Sequence, residues 1–232
     1  GAMAGRSAGG FLLFLGGFLY PFAASALAGL LALFLLLRWP SCPTQGSRMG
    51  EVFRRVGQGF RQVVSDFVIL GTSVVEGLQY LAIGCVDAFL PIYAKGVGFS
   101  DWQIGLLYGS QVGATILTKP VLGWFSDKAG RRPQIIVGLL LGGIVLWRLP
   151  WEASFPMLAL LMGLFGLTVA LTTSATSALI TDVCDQRHYG AAHGVFGTIL
   201  DMGHAAGPIM AGILIARSGY RVSFALFAAA LI

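Results

Sequence analysis

Apolar residues run along this chain in long stretches near 1–17, 19–38, 67–94, 104–125, 134–150, 155–180, 190–216 and 221–232, and polar residues collect in the connections between them. Most of these runs approach the length of about 20 helical residues that crosses roughly 30 Å of hydrocarbon. A helix satisfies its own backbone hydrogen bonds inside lipid, so the pattern predicts an all-α fold, a polytopic transmembrane helix bundle. The chain opens without an initiator Met or a signal peptide, and it stops at Ile232 in the middle of an apolar run. We therefore read it as a fragment of a longer protein.

Composition agrees with a membrane chain. Hydrophobic residues make up 56% of the sequence and charged residues 11%, too few to cover the surface of a soluble domain of 232 residues. The net charge of +5 then describes loops rather than a nucleic-acid footprint, and no nucleic-acid partner is expected. Cys42, Cys85 and Cys184 lie far apart with no CxxC spacing, so neither a disulfide framework nor a zinc site is suggested. No metal and no cofactor are expected. HExxH, GxSxG and phosphate-loop motifs are missing from the sequence, so no catalytic residue is assigned and the chain does not read as an enzyme.

Displaced by 202 residues, the chain aligns with itself without a gap. Gly1, Gly5, Gly10, Gly17 and Phe22 fall on Gly203, Gly207, Gly212, Gly219 and Phe224, and Ala23, Ala26 and Ala28 fall on Ala225, Ala228 and Ala230. The register holds through a turn and into a second helix, which predicts two homologous halves. Residues 1–38 would end the first half, 39–66 would form a cytoplasmic central loop, and 67–232 would form the second half. The central loop carries Met49, Val52, Phe53, Val56, Phe60 and Val63 on one helical face, with Arg54, Arg55 and Arg61 elsewhere. Two readings stand for it, an amphipathic helix on the inner leaflet and a soluble linker helix.

Between the runs at 104–125 and 134–150 sits a polar hairpin, Gly123 to Arg132, whose shortness predicts antiparallel neighbouring helices. If it is cytoplasmic, alternation places Arg38, Arg48, Arg54, Arg55, Arg61, Lys128, Arg131, Arg132 and Arg187 inside and Lys95, Arg148, Arg217 and Arg221 outside, which follows the positive-inside rule. Trp39, Trp102, Trp124, Trp147 and Trp151 fall near segment ends, where an aromatic belt would put them. Ser100 and Gln103 have the spacing of a capping box that starts the next helix.

The hairpin's Gly123, Asp127, Lys128, Gly130, Arg131 and Arg132 stand as GxxxDKxGRR, which resembles the signature loop of the major facilitator superfamily of secondary transporters. The resemblance implies twelve helices in two six-helix halves, with this chain running from a truncated helix five to a truncated helix twelve. It places the hairpin between helices eight and nine. It also implies that Asp127 caps the start of helix five, before Gly1, so that Asp127 would be found here without that contact. Asp127 can accept hydrogen bonds from free helix-start N–H groups, Gly130 permits the tight turn, and Arg131 and Arg132 can pair with acidic groups or lipid phosphate. A latch between access states and a static cap both fit. Gly1, Gly5, Gly9 and Gly10 resemble the glycine-rich helix-five motif of antiporters, although Arg6 stands where proline is usual. The repeat copy, Gly203, Gly207, Pro208 and Gly212, keeps the proline, and small residues at this spacing suit close helix packing.

Ionisable groups at membrane depth are the remaining candidates. Glu76 and Asp87 lie about three turns apart on a face shared with Tyr80 and, more loosely, Gln79, and this face is expected to line a cavity. Asp201 and His204 lie one turn apart and read as a carboxylate–imidazole pair able to exchange a proton. For each, interhelical bonding that merely orders the bundle is the alternative. Lys119 reads as a lipid-snorkelling cation or a substrate contact. Gln111, beside Gly105, Gly109 and Gly113, lines a cavity or joins a packing seam. The run Thr172, Thr173, Ser174, Thr176 and Ser177 can satisfy itself on its own backbone.

These features predict a secondary transporter in the cell membrane that moves small-molecule substrates by alternating access, coupled to protons and directed outward. Its partners would be the substrate, protons, the lipid bilayer and the missing N-terminal helices of the same protein. Proton-coupled uptake and a non-transporting membrane sensor are the alternatives.

Overall fold

The computed structural model describes residues 19–38, 66–184 and 189–232, with the single positions Gly50, Arg54, Gly57 and Arg61. The glycine motif at Gly1, Gly5, Gly9 and Gly10, the apolar face of the central loop, and Trp39 lie outside the described residues. Arg54 and Arg61 are helical and exposed.

Among the described residues six α-helices follow one another: α1 (Leu19–Arg38), α2 (Phe67–Val97), α3 (Asp101–Ala129), α4 (Arg131–Arg148), α5 (Phe155–Val183) and α6 (Tyr189–Leu231). No strand occurs among them. Four stretches of the described residues are long and apolar enough to cross a membrane: Phe67–Val97, Arg131–Trp151, Phe155–Val183 and Ala192–Leu231. The expected span at 104–125 is not among them, because Ser110, Gln111, Lys119 and Pro120 lower the mean hydropathy of α3. In α1 the apolar part is the shorter stretch Phe22–Leu35.

Local chemistry sets the helix ends. Asp66 Oδ1 accepts from the backbone N–H of Val68 (2.8 Å) and Ile69 (3.3 Å), starting α2. Gly98, at φ 100°, closes α2 with a Schellman-type pair, Phe99 N–H to Ala94 O and Gly98 N–H to Lys95 O, both 3.0 Å. Two residues later Ser100 donates its backbone N–H to Gln103 Oε1 at 2.9 Å, so α3 begins three residues earlier than the apolar pattern suggests. The hairpin at Gly123–Arg132 is corrected more sharply. Helix α3 continues to Ala129 and α4 starts at Arg131, leaving only Gly130, at φ 92°, as the turn.

At 43 residues, α6 would be roughly 65 Å long if straight, about twice the hydrocarbon thickness. It breaks at Gly219, with φ 73°. Before the break Gly203 lies against Gly77 and Gly212 against Phe89, so this arm runs parallel to α2. After it, Arg221 covers the Trp151 ring at 4.2 Å while Ile232 reaches Gly143, so the chain has turned back.

The largest interfaces join helices that are not consecutive: α2 packs along α6, and α3 packs along α5. α3 and α4 are antiparallel, as the short hairpin predicts, but meet only sparsely, so they are not the close neighbours expected. The α3–α5 pair is parallel: Ser110 Oγ bonds Ala159 O at 3.0 Å, and Thr115 Oγ1 bonds Gly166 O at 2.9 Å. α4 lies antiparallel on α5, with Gln134 Nε2 on Ser174 Oγ at 2.8 Å and Gly142 against Thr168. An apolar core of Val86, Leu90, Leu107, Leu146, Met162 and Phe224 fills the end nearer Trp151, and a smaller cluster of Ile69, Cys184, Ala192 and Val195 fills the other. Helix α1 shares no extended interface with the other described helices.

Glycine makes the α2–α6 seam. A methyl group on Gly203 would fall on the Gly77 carbonyl, and one on Gly207 would meet the Leu81 carbonyl and Cys85 N. Gly84 faces the His204 carbonyl and, at 3.0 Å, Pro208 Cδ. Backbone therefore meets backbone across this interface. Gly105, Gly109 and Gly113 do not form the packing seam expected of them, since a methyl group on any would meet nothing within 4 Å. The close approach of α3 to α5 is made by Gly166, which lies on the Gln111 backbone.

Candidate transport site

The seam brings ionisable groups of α2 against α5 and α6. Glu76 is 1% exposed, and its Oε2 accepts from Thr176 Oγ1 on α5 at 2.7 Å. That hydroxyl is also 2.9 Å from Thr172 O, so its single proton serves one of two acceptors. Gln79 is fully buried, and neither amide atom has a hydrogen-bond partner among the described residues. The expectation that Glu76, Gln79, Tyr80 and Asp87 line a cavity together is thus corrected. Glu76 and Gln79 point into the bundle, whereas Tyr80 and Asp87 are half-buried.

Asp87 Oδ2 meets His204 Nε2 at 3.1 Å, and the Tyr80 ring stands edge-on to the His204 ring, with centroids 6.2 Å apart. The imidazole therefore pairs with Asp87 across the seam rather than with Asp201 on its own helix. The cause is steric: the His204 backbone lies on Gly84, close enough for its ring to reach α2, while Asp201 is exposed. Gln111 is buried at the α3–α5 interface, which makes it part of the packing rather than of a cavity wall.

At the opposite end of α3 the signature residues form a charged hub. Arg131 Nη2 lies 3.0 Å from Asp127 Oδ1, and its Nε lies 2.5 Å from Asp182 Oδ2 on α5. Nη1 also approaches Ser126 Oγ at 3.4 Å. Asp127 is thus engaged by Arg131 within the hairpin itself. Lys128 lies over the Trp124 ring at 4.0 Å, and Arg132 borders an apolar groove formed with Phe67, Ile136 and Leu179. Gly123 has open space around it. Lys119 is exposed on α3 at the mouth of a cavity that Arg131 and Asp182 also line.

The hydroxyl run on α5 does more than satisfy itself. Thr172 bonds Thr168 O at 3.1 Å as expected, but Thr176 reaches Glu76 and Ser174 accepts from Gln134 Nε2 at 2.8 Å. Gln134 and Asp182 were not singled out from the sequence, and Thr176 was read only as satisfying its own backbone. A signal for its wider role existed, because Thr168, Thr172 and Thr176 recur every four residues as a polar ridge. Asp182 is an acidic residue in a segment read only for its cations.

Comparison with known proteins agrees with this architecture. The family described as Major Facilitator Superfamily matches residues 72–232. Relatives include the "Quinolone resistance protein NorA" of Staphylococcus aureus (strain MRSA252), 28% identical over 154 residues that cover 66% of this chain and 39% of the relative. The protein of the same name from strain Mu50 is 27% identical over the same coverage. The "Uncharacterized MFS-type transporter MJ1560" of Methanocaldococcus jannaschii is 24% identical over 147 residues, 62% of this chain and 37% of that one. The chain thus spans about two fifths of the length of the curated relatives it matches. With an all-helical membrane bundle, a seam of glycines and a family match over most of its length, this chain belongs to the Major Facilitator Superfamily of membrane transporters.

Proposed function

We propose that the complete protein is a proton-coupled secondary transporter that exports small, amphiphilic solutes by alternating access. The observation that carries this reading is the Asp87–His204 pair, 3.1 Å apart at membrane depth on the seam of α2 and α6. A carboxylate and an imidazole in contact hold one proton as an ion pair and a second as a neutral carboxylic acid beside an imidazolium, so the pair's net charge reports proton occupancy. Net charge in a low-dielectric seam biases how closely two helices approach, and rocking of packed helices is how such folds alternate. Exposed Asp201 and buried Glu76 are further carboxylates within the same proposal. The relatives named for quinolone resistance support export.

In this reading residues 1–38 end the first half, 39–66 are the central loop and 67–232 are the second half. The turn at Gly130 and the central loop face the cytoplasm. The Asp127–Arg131–Asp182 hub holds the cytoplasmic ends of α3, α4 and α5 together in one access state. Flux of fluorescent amphiphiles into inside-out vesicles carrying the full-length protein tests the proposal. Substrate addition is expected to release protons from wild-type vesicles, and Asp87→Asn to abolish the exchange at normal expression. Co-movement of protons and substrate would indicate uptake instead, and flux unaffected by Asp87→Asn would overturn the site assignment.

A further inference from the structure

A cavity of about 540 Å³ opens at the Gly130 end of the bundle, walled by α3, α4, α5 and the start of α6. Its volume suits a small organic molecule and exceeds the need of an inorganic ion. Two cations border it. Arg131 is already committed to Asp127 and Asp182. Lys119 forms no salt bridge among the described residues, and the buried Glu76 carboxylate accepts from Thr176.

The wall also holds polar atoms awaiting a partner. Thr173 is 5% exposed, and its Oγ1 has no hydrogen-bond partner among the described residues, unlike Thr172 and Thr176 beside it. His193 Nε2 is buried and likewise unpartnered, and its ring lies on that of Tyr189 with centroids 4.5 Å apart. Nearby, Thr181 and Tyr189 share a hydroxyl contact at 3.1 Å. The cavity therefore combines an ammonium outside any salt bridge among the described residues, a buried hydroxyl and a pair of tilted rings in contact. An anion joined to a flat apolar body would meet both Lys119 and the rings.

We propose that this cavity is a receiving site for substrates that carry a carboxylate on an aromatic body, with the carboxylate on Lys119 and Thr173 and the body against Tyr189 and His193. The assignment rests on the transport reading above and names its substrate class. The probes are 1-pyrenebutyrate and its methyl ester, which differ in charge but little in shape, with binding to the full-length protein in nanodiscs read by fluorescence anisotropy.

Wild-type protein is expected to bind the acid about tenfold more tightly than the ester, as one charge-assisted contact supplies. Lys119→Gln should remove that preference, Lys119→Arg should restore most of it, Thr173→Val should weaken it, and Lys95→Gln at the other end should leave it intact. Equal binding of acid and ester, or a preference that survives Lys119→Gln, would overturn the assignment. Complete displacement of the acid by equimolar inorganic phosphate would also overturn it, by showing a simple anion hole. Proton-driven flux of a neutral dye, measured on the same preparations, separates the two claims. Flux without carboxylate preference sinks only the receiving site, and preference without flux sinks the transport reading.

Discussion

Asp87 and His204 stand 117 positions apart in the chain and meet at 3.1 Å across the α2–α6 seam. Neither the repeat nor the spacing of charges on either helix pairs them. The contact exists because Gly84 lets the His204 backbone settle directly on α2.

His204→Gln keeps a side chain able to hydrogen-bond Asp87 but removes the titrating imidazole. The variant is expected to fold with an unchanged thermal unfolding profile while flux of the full-length protein loses its response to an imposed pH gradient. Retained gradient dependence would remove His204 from proton handling.

Thr176→Val takes away the partner of the Glu76 carboxyl group without changing side-chain shape. Interhelical hydrogen bonds inside membranes contribute roughly 1 kcal/mol, so a modest loss of thermal stability is expected. Glu76→Gln, which can still accept from Thr176, should cost less than Thr176→Val. A larger loss for Glu76→Gln would mean that the charge itself, and not the hydrogen bond, matters to folding.

Glycines on and off the α2–α6 seam should respond differently to a single methyl group. Gly203→Ala pushes a methyl group onto the Gly77 carbonyl, and overpacking of this kind costs about 1–3 kcal/mol. Gly109→Ala meets open space and is expected to be neutral or slightly stabilising, since alanine favours the helix. Equal melting temperatures for the two variants would contradict the packing described for α2 and α6.

Arg131→Lys retains the charge but not the fork that reaches Asp127 and Asp182 together. Loosening at this end of α5 should expose Cys184, which is buried two residues beyond Asp182, and speed its alkylation by a thiol reagent several-fold. Cys85, buried in the main core, serves as the internal control and should stay protected. Mass spectrometric mapping of both sites distinguishes local loosening from general unfolding.

Much of the fold was legible because lipid imposes a single rule on every span. Long apolar runs, the capping box at Ser100 and Gln103, and the glycine needed at Gly130 all act within a few residues of chain. The signature around Asp127 was equally local, and so was the reversal at Gly219 that the repeat implied. The site was less legible. The Asp201–His204 reading assumed that residues one turn apart are partners, but a helix surface offers its side chains to whichever neighbour comes closest.

The sequence by itself determined a helical membrane chain, its approximate spans and the residues able to carry charge into the membrane, because each follows from short-range hydrophobic and hydrogen-bonding demands. Only the tertiary structure decided that α2 pairs with α6 and α3 with α5, that Glu76 is held by Thr176, and that Arg131 joins Asp127 to Asp182. Those contacts depend on how closely backbones approach. That distance is set by which glycines face one another across a seam, and periodicity along a single helix carries no record of it.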